Sequence, residues 1–162
     1  MSKIYHGSTE VVKTPEIRQS NRSLDYGEGF YTTTSLAQAK RLVERRIKDK
    51  RLNVGYVSIY ELDDEAIKCM KVLLFKDPTE EWVNFVMRNR TERGFTHDYD
   101  IVYGPVADDS VYTQFTLYEG GIISMTTLIQ ELKTYRLVDQ YLFHTEKSLA
   151  AIKFVESITV KL

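Results

Sequence analysis

Two stretches near the start of the chain decide its fold: Ile4-Tyr5-His6-Gly7-Ser8 and, after a polar segment, Gly27-Glu28-Gly29-Phe30-Tyr31-Thr32-Thr33. Each combines apolar or aromatic residues with glycine, a pattern that predicts a short β-strand beside a turn. We therefore predict strands at residues 4–6 and 30–33, joined by an irregular polar connection over residues 14–25.

A helix is predicted directly after the second strand. Ser35 is a good N-cap residue and Gln38 follows three positions later, which is the pattern of a capping box. Apolar side chains then recur at helical spacing and form one face of the helix: Leu36, Ala39, Leu42, Val43 and Ile47.

The rest of the chain predicts a mixture of strands and helices. A second helix is expected at residues 78–90, with Asp77 as its N-cap and Trp82, Phe85 and Val86 facing inward. A third helix fits residues 125–135, and a brief one starts near Thr145. Residues 62–65 are predicted to form a turn, and the patterns predict further strands at residues 53–61, 67–75, 100–103, 140–144 and 154–160. We find no repeat or linker, so the prediction is one α+β domain over residues 1–162.

Charge and cysteine content limit the possible settings of the protein. Lys plus Arg total 22 and Asp plus Glu total 23, so the overall charge neither requires nor excludes a nucleic-acid or membrane partner. The single cysteine, Cys69, rules out an internal disulfide and fits a reducing compartment. No signal peptide and no apolar run approaching the roughly 18 residues of a membrane span is apparent. We expect a cytoplasmic protein without a membrane partner.

In this order, His6-Gly7 and the segment from Gly29 to Thr33 resemble the nicotinamide pocket of ADP-ribosyltransferases of the diphtheria-toxin and poly-ADP-ribose-polymerase branch. The resemblance continues without a gap to Leu42 and covers residues 136–145 loosely. It implies an ADP-ribosyltransferase-like fold, with two packed, mainly antiparallel β-sheets and flanking helices. It also implies NAD as the substrate, from which ADP-ribose passes to a protein or nucleic-acid target.

The same resemblance implies roles for individual residues. The backbone of Gly7 would bind the nicotinamide amide, and His6 would bind the adenosine ribose. Tyr31 would stack on the nicotinamide ring, and Ser8 belongs to the same pocket. Glycine suits such a contact because no Cβ blocks close approach.

Two positions depart from the family pattern. Leu42 stands where the family has a second stacking tyrosine, so one side of the nicotinamide would be aliphatic or filled by Tyr26. Gln140 stands where the family has its catalytic glutamate. Gln140 can hydrogen-bond a ribose hydroxyl but brings no negative charge. Loss of one such electrostatic contact typically lowers a rate roughly a hundred- to a thousand-fold.

Neighbours of Gln140 offer limited compensation for the missing charge. Asp139 points to the opposite face of the strand, whereas Leu142 and His144 share the face of Gln140. His144 is therefore a second catalytic candidate. The equally weighted alternative is that His144 is an ordinary polar residue at the end of the strand. Other carboxylates, which as a rule would be solvated surface groups, are Glu28, Glu119 and Glu146.

The whole chain is also similar to a bacterial family of unknown function, number 3990. The shared segments are residues 6–7, 27–33, 100–107 and 140–147, which makes Gln140 a family trait. By analogy with small bacterial ADP-ribosyltransferase-like proteins, the expected setting is a toxin-antitoxin or phage-defence system with an antitoxin partner. The alternative is a catalytically weak or inactive module of the same fold, which binds NAD, ADP-ribose or a partner.

The predicted first helix is strongly basic. Its positive charges would hold a nucleic-acid backbone or an acidic target, or would form a solvated face with pairs such as Arg41 with Glu44. The basic residues on or just beyond this helix are Lys40, Arg41, Arg45, Arg46, Lys48, Lys50 and Arg51. We predict no metal site, because His6, His97 and His144 lie far apart with no Cys or Glu at ligand spacing.

Overall fold

The computed structural model describes residues 2–18, 24–107, 109–135 and 137–162, so residues 19–23 of the predicted connection lie outside the described residues. The elements in chain order are β1 (Ser2–Ser8), β2 (Phe30–Thr33), α1 (Leu36–Lys50), β3 (Val54–Leu62), α2 (Asp64–Ile67), β4 (Val72–Leu74), α3 (Glu80–Thr91), β5 (Ile101–Pro105), α4 (Asp109–Glu119), α5 (Met125–Leu132), β6 (Asp139–Phe143), a 3₁₀ helix (Lys147–Ala151) and β7 (Ile152–Lys161).

The strands form one seven-stranded sheet in the order β4-β5-β6-β2-β1-β3-β7. Every neighbouring pair is antiparallel except β4 with β5. The α+β class and the mainly antiparallel pairing are confirmed, whereas the expectation of two packed sheets is wrong. The reason is a bridge between Tyr5 and Thr33, which joins the β1-β3-β7 half of the sheet to the β4-β5-β6-β2 half.

Helix α1 begins as the sequence predicts. The Ser35 hydroxyl accepts a hydrogen bond from the Gln38 backbone N–H at 3.1 Å, which satisfies one of the free donors of the first turn. The helix packs closely on the sheet, because a Cβ on Gly7 of β1 would lie 2.8 Å from the Ala39 carbonyl oxygen. Gly7 is therefore required by the approach of β1 to α1, and not only by the proposed ligand contact.

Three elements differ from their predictions. Asp63 caps the short helix α2 through its side chain, so the expected strand at residues 67–75 shrinks to β4. Thr79, and not Asp77, caps α3. Helix α4 is not predicted at all, because its residues include Val, Thr and three aromatic side chains that favour strands locally. Tertiary packing overrides that preference, as Phe115 of α4 lies against Trp82 of α3 with ring centroids 5.9 Å apart.

The hydrophobic core has three clusters. One crosses the junction of β1 with β2 through Ile4, Phe30 and Phe143, and the other two lie one on each half of the sheet. Helix α1 buries Ala39, Val43 and Ile47 with Val57 and Ile59 of β3. A second cluster joins helices α3, α4 and α5 to strands β5 and β6. The junction of β1 with β2 lies between these two packed regions, and that is where the candidate site is found.

Candidate functional site

The candidate site lies where the pairing of β1 with β2 stops. These strands pair through Tyr5 and Thr33, and a continued antiparallel ladder would place Gly7 opposite Tyr31. Among the described residues, however, residues 6–8 pair with β3 and not with β2. The two strands therefore leave a slot between the His-Gly segment and Tyr31.

His6 spans this slot at its closed end. Its Nδ1 lies 2.7 Å from the Tyr31 carbonyl oxygen, so Nδ1 carries the proton and donates it. The imidazole also stacks on Phe30 with ring centroids 4.3 Å apart. Burial lowers the pKa of His6 from 6.5 to about 4 against the opposing effect of that hydrogen bond. His6 is thus neutral near pH 7, with Nε2 as a hydrogen-bond acceptor.

The lowered pKa of His6 predicts a loss of stability in acid. The unfolded chain binds a proton below about pH 6.5 while the folded protein does not, so the His6 contribution is complete above pH 6.5 and falls toward pH 4. Between pH 7 and pH 5 we expect it to lower the free energy of unfolding by about 2 kcal/mol. Urea unfolding of the wild-type protein and of His6→Asn at both pH values measures this loss of stability. The Asn amide can replace the Nδ1 donor but does not titrate. Equal pH dependence of the two proteins would contradict this assignment.

The Tyr31 ring is held in one orientation at the side of the slot. Its hydroxyl donates to the Gly27 carbonyl oxygen and accepts from the Tyr26 backbone N–H at 3.0 Å. Burial raises the pKa of the Tyr31 hydroxyl well above its usual value, so the group stays neutral. A ring fixed at its hydroxyl end presents a preorganised face to a planar ligand.

The slot opens into a cleft of about 470 Å³ with an adjoining cavity of about 110 Å³. Gln140 is 6% exposed and pairs with Thr33 across β6 and β2, which places it on the Tyr31 face of the sheet. Six of the eight predicted site residues therefore converge here. They are His6, Tyr31, Leu42 and Gln140, which line both cavities, with Ser8 in the larger and Gly7 in the smaller.

Asp25 lines this cleft although it was not among the predicted site residues. Its side chain lines the cleft and is 8% exposed, and its Oδ1 accepts a hydrogen bond from the Tyr112 hydroxyl at 3.1 Å. Burial raises the pKa of the Asp25 carboxyl, while hydrogen bonds from Tyr112, the Ala107 backbone and Gln140 act in the opposite direction. The available signal was its position immediately before the Tyr26-Gly27 turn, at the end of a segment that we treated as a connection.

Two arginines supply positive charge to the cleft. Arg18 and Arg46 both line it, and both lower the pKa of His6 through their charge, after the larger effect of burial. Arg18 lies 3.5 Å from the Glu16 carboxylate and 3.8 Å from that of Glu10, at the exposed edge. Arg46 comes from α1, so the basic helix contributes one guanidinium to the cleft.

A known protein family matches this chain over most of its length. The family model described as "Protein of unknown function (DUF3990)" matches residues 2–154. The chain belongs to the DUF3990 family. No curated protein and no solved structure matches it. The matched range contains every residue that lines the cleft, so the whole candidate site lies within the family domain.

Tyr26 does not line the cleft of the DUF3990 protein, contrary to our expectation. Its side chain is fully buried, its hydroxyl donates to the Pro105 carbonyl oxygen at 2.8 Å, and it accepts from Trp82 Nε1 at 2.8 Å. The sequence suggested a ligand contact because Tyr26 adjoins the glycine motif. Its burial in the core instead makes Tyr26 a structural residue.

His144 also lies outside the cleft. Strand β6 ends at Phe143, and the His144 ring turns toward His97, with ring centroids 4.1 Å apart. Its Nδ1 lies 2.6 Å from the Glu28 carbonyl oxygen, and the two histidines line a different cavity, on the far side of the glycine motif. The strand alternation that suggested proximity to Gln140 does not continue past the strand end.

The basic face of α1 is mostly exposed in the DUF3990 protein. Arg41 donates to the Gln38 side-chain oxygen at 3.0 Å and not to Glu44, the partner that we expected. Lys40, Arg45, Lys48 and Lys50 are exposed, whereas Arg46 is half-buried beside the cleft. A polyanion bound along this face would therefore lie next to the cleft.

The described residues contain neither a metal-binding cluster nor a membrane-spanning helix. In the described ranges, no three or more His, Cys, Asp or Glu side chains form a group that could hold a metal ion. Within the same ranges, no helix combines the length and the apolar character that crossing a membrane requires.

Proposed function

We propose that this DUF3990 protein has an ADP-ribosyltransferase-like fold, binds NAD in the cleft between β1 and β2, and transfers ADP-ribose to a macromolecular target. The observation that carries the proposal is the end of the β1–β2 ladder after Tyr5 and Thr33. The slot formed there has the His-Gly strand on one side and the Gly-Phe-Tyr strand on the other. The two motifs that resemble the nicotinamide pocket of that superfamily are thereby brought face to face.

The chemistry of the cleft suits NAD. Leu42 provides an apolar wall for a flat ring beside the fixed Tyr31 ring. Arg18 and Arg46 provide guanidinium groups, which bind the two oxygens of a phosphate in a fork. The cleft has the volume usual for a small-molecule site, and its arginines suit a ligand that carries phosphates.

When bound, NAD supplies a glycosidic bond whose nicotinamide leaving group departs as a neutral molecule. The protein's residues bind and orient around that bond. Neutral His6 offers Nε2 as an acceptor to a ribose hydroxyl, and Tyr31 holds the planar ring. Gln140 offers its amide to the second ribose from the floor of the cleft.

The alternative is a binding module without turnover, which Gln140 and Leu42 favour. One experiment separates the two. The purified protein is incubated with NAD labelled in its adenylate phosphate and with cell lysate, and free nicotinamide is measured by chromatography. Label transfer with nicotinamide release supports the transferase. Saturable NAD binding without release supports the module, and the absence of both rejects this proposal altogether.

Neighbouring arginines on α1 provide a matched pair for locating the ligand. Arg46→Gln is expected to weaken NAD binding about tenfold or more, because a charge-assisted contact to phosphate contributes roughly 1.5–3 kcal/mol. Arg45→Gln changes the same charge on the next residue, which is exposed and does not line the cleft. We expect it to change the Kd by less than about twofold. Isothermal titration calorimetry measures both, and equal losses would place NAD outside the cleft.

A further inference from the structure

Asp25 is the buried carboxylate of the cleft. Among the described residues, it is the charged side chain that the fold buries, at 8% exposure, and it lies with Gln140 on the floor of the cleft. A buried carboxylate is costly unless hydrogen bonds compensate for lost hydration. A position that keeps such a group at a ligand-sized opening is a candidate for catalytic work.

The groups that interact with the Asp25 carboxylate by hydrogen bonding are neutral donors. The Tyr112 hydroxyl donates to Oδ1 at 3.1 Å. The Ala107 backbone and the Gln140 side chain also act to lower the pKa of the carboxyl, against the larger effect of burial. These donors orient the group without cancelling its charge. Arg90 acts on it through its charge, and the Arg90 guanidinium lies over the Tyr112 ring, 4.1 Å from the centroid.

The other carboxylates at the cleft are poor candidates. Glu10 and Glu16 line it, but their side chains are each 63% exposed and lie close to Arg18. Glu28, Glu119 and Glu146 are exposed and do not line the cleft. Solvent screens the charge of exposed groups, so the ionised form of Asp25 is the cleft carboxylate whose charge solvent would screen least.

We propose that Asp25, which lies in the same cleft as Gln140, is the catalytic carboxylate of this site and takes the electrostatic role that Gln140 itself cannot perform. The inference rests on the proposed function. As the bond between the ribose carbon and nicotinamide breaks, its electron pair leaves with nicotinamide, and Asp25 stabilises the positive charge on the ribose carbon. An O–H or N–H of the target then bonds to that carbon, and Asp25 accepts its proton and releases it to water.

The test is nicotinamide release from NAD by the full chain. Asp25→Asn keeps the shape of the side chain and removes its charge, and we expect a rate roughly a hundred- to a thousand-fold lower. We expect the NAD Kd to change by less than about tenfold. Asp139→Asn is the matched control, because Asp139 also accepts from a tyrosine, Tyr103 at 2.7 Å, but does not line the cleft. It should retain the wild-type rate.

A second variant leaves Asp25 in place. Tyr112→Phe removes a hydrogen bond that favours the ionised carboxyl, so the acid limb of the kcat/KM profile should move to higher pH. Asp25→Asn should abolish that limb. If the role of Asp25 were purely structural, neither substitution would change the shape of the kcat/KM profile against pH. Unchanged release in Asp25→Asn, or an unmoved limb in Tyr112→Phe, overturns the role of Asp25 and leaves the proposed function standing. Wild-type protein that releases no nicotinamide overturns both.

Discussion

Replacing Gly29 by alanine is expected to lower the free energy of unfolding by about 4 kcal/mol or more, enough to unfold a marginally stable domain. Gly29 has φ of +150°, and a Cβ there would lie 2.4 Å from the Phe143 carbonyl oxygen and 2.6 Å from Leu142 Cδ1. The carbonyl belongs to strand β6, which pairs with β2 immediately beside Gly29. The alanine methyl group would therefore push apart the two strands that bring Gln140 to Tyr31.

Gly121→Ala is the control for Gly29→Ala. Gly121 also has positive φ, +76°, but a Cβ there meets no described atom within 4 Å. It should cost only the backbone strain, about 1 kcal/mol. Urea unfolding followed by circular dichroism and by Trp82 fluorescence measures both variants. If the two variants lost free energies of unfolding within about 1 kcal/mol of each other, β2 and β6 would move apart at little cost. That result would contradict the prediction for Gly29→Ala.

Replacing Tyr26 by phenylalanine should cost roughly 1–3 kcal/mol of stability, because the buried Trp82 indole N–H loses its acceptor and the Pro105 carbonyl oxygen keeps only the longer bond from Gln140, at 3.5 Å. The Trp82 indole N–H and the Pro105 carbonyl oxygen both bond to the Tyr26 hydroxyl at 2.8 Å. The hydroxyl also occupies space left by Gly104, where a Cβ would lie 2.6 Å away. Burial raises the pKa of this hydroxyl far above its usual value, so it remains a neutral donor.

The readouts for Tyr26→Phe separate the core from the ligand site. Tyr118→Phe removes a hydroxyl that makes no hydrogen bond to the described residues, and should change stability by less than about 0.5 kcal/mol. Below the unfolding transition, Tyr26→Phe should change the NAD Kd by less than about threefold, which is under 1 kcal/mol. A large loss of NAD affinity in the folded variant would restore Tyr26 to the ligand site, where the sequence analysis had placed it.

The sequence predicted well where the signal is local. The capping pair Ser35 and Gln38 placed the start of α1, and β2 occupies the expected residues. Hydrophobic spacing and capping depend on neighbours within one helical turn, so they can be read from the chain alone. Local signals were misleading at α4, where tertiary packing against Trp82 outweighs strand-forming residues.

By itself the sequence determined the two motif strands, α1 and six of the residues that line the cleft and its adjoining cavity, because glycine, aromatic and capping residues act over short distances. Only the tertiary structure decided that β6 lies beside β2 and brings Gln140 to Tyr31, that His144 turns to His97, and that seven strands form one sheet. It also decided that Asp25 is buried and Tyr26 belongs to the core. Strand order and burial arise from contacts between residues far apart in the chain, and local patterns carry no record of those contacts.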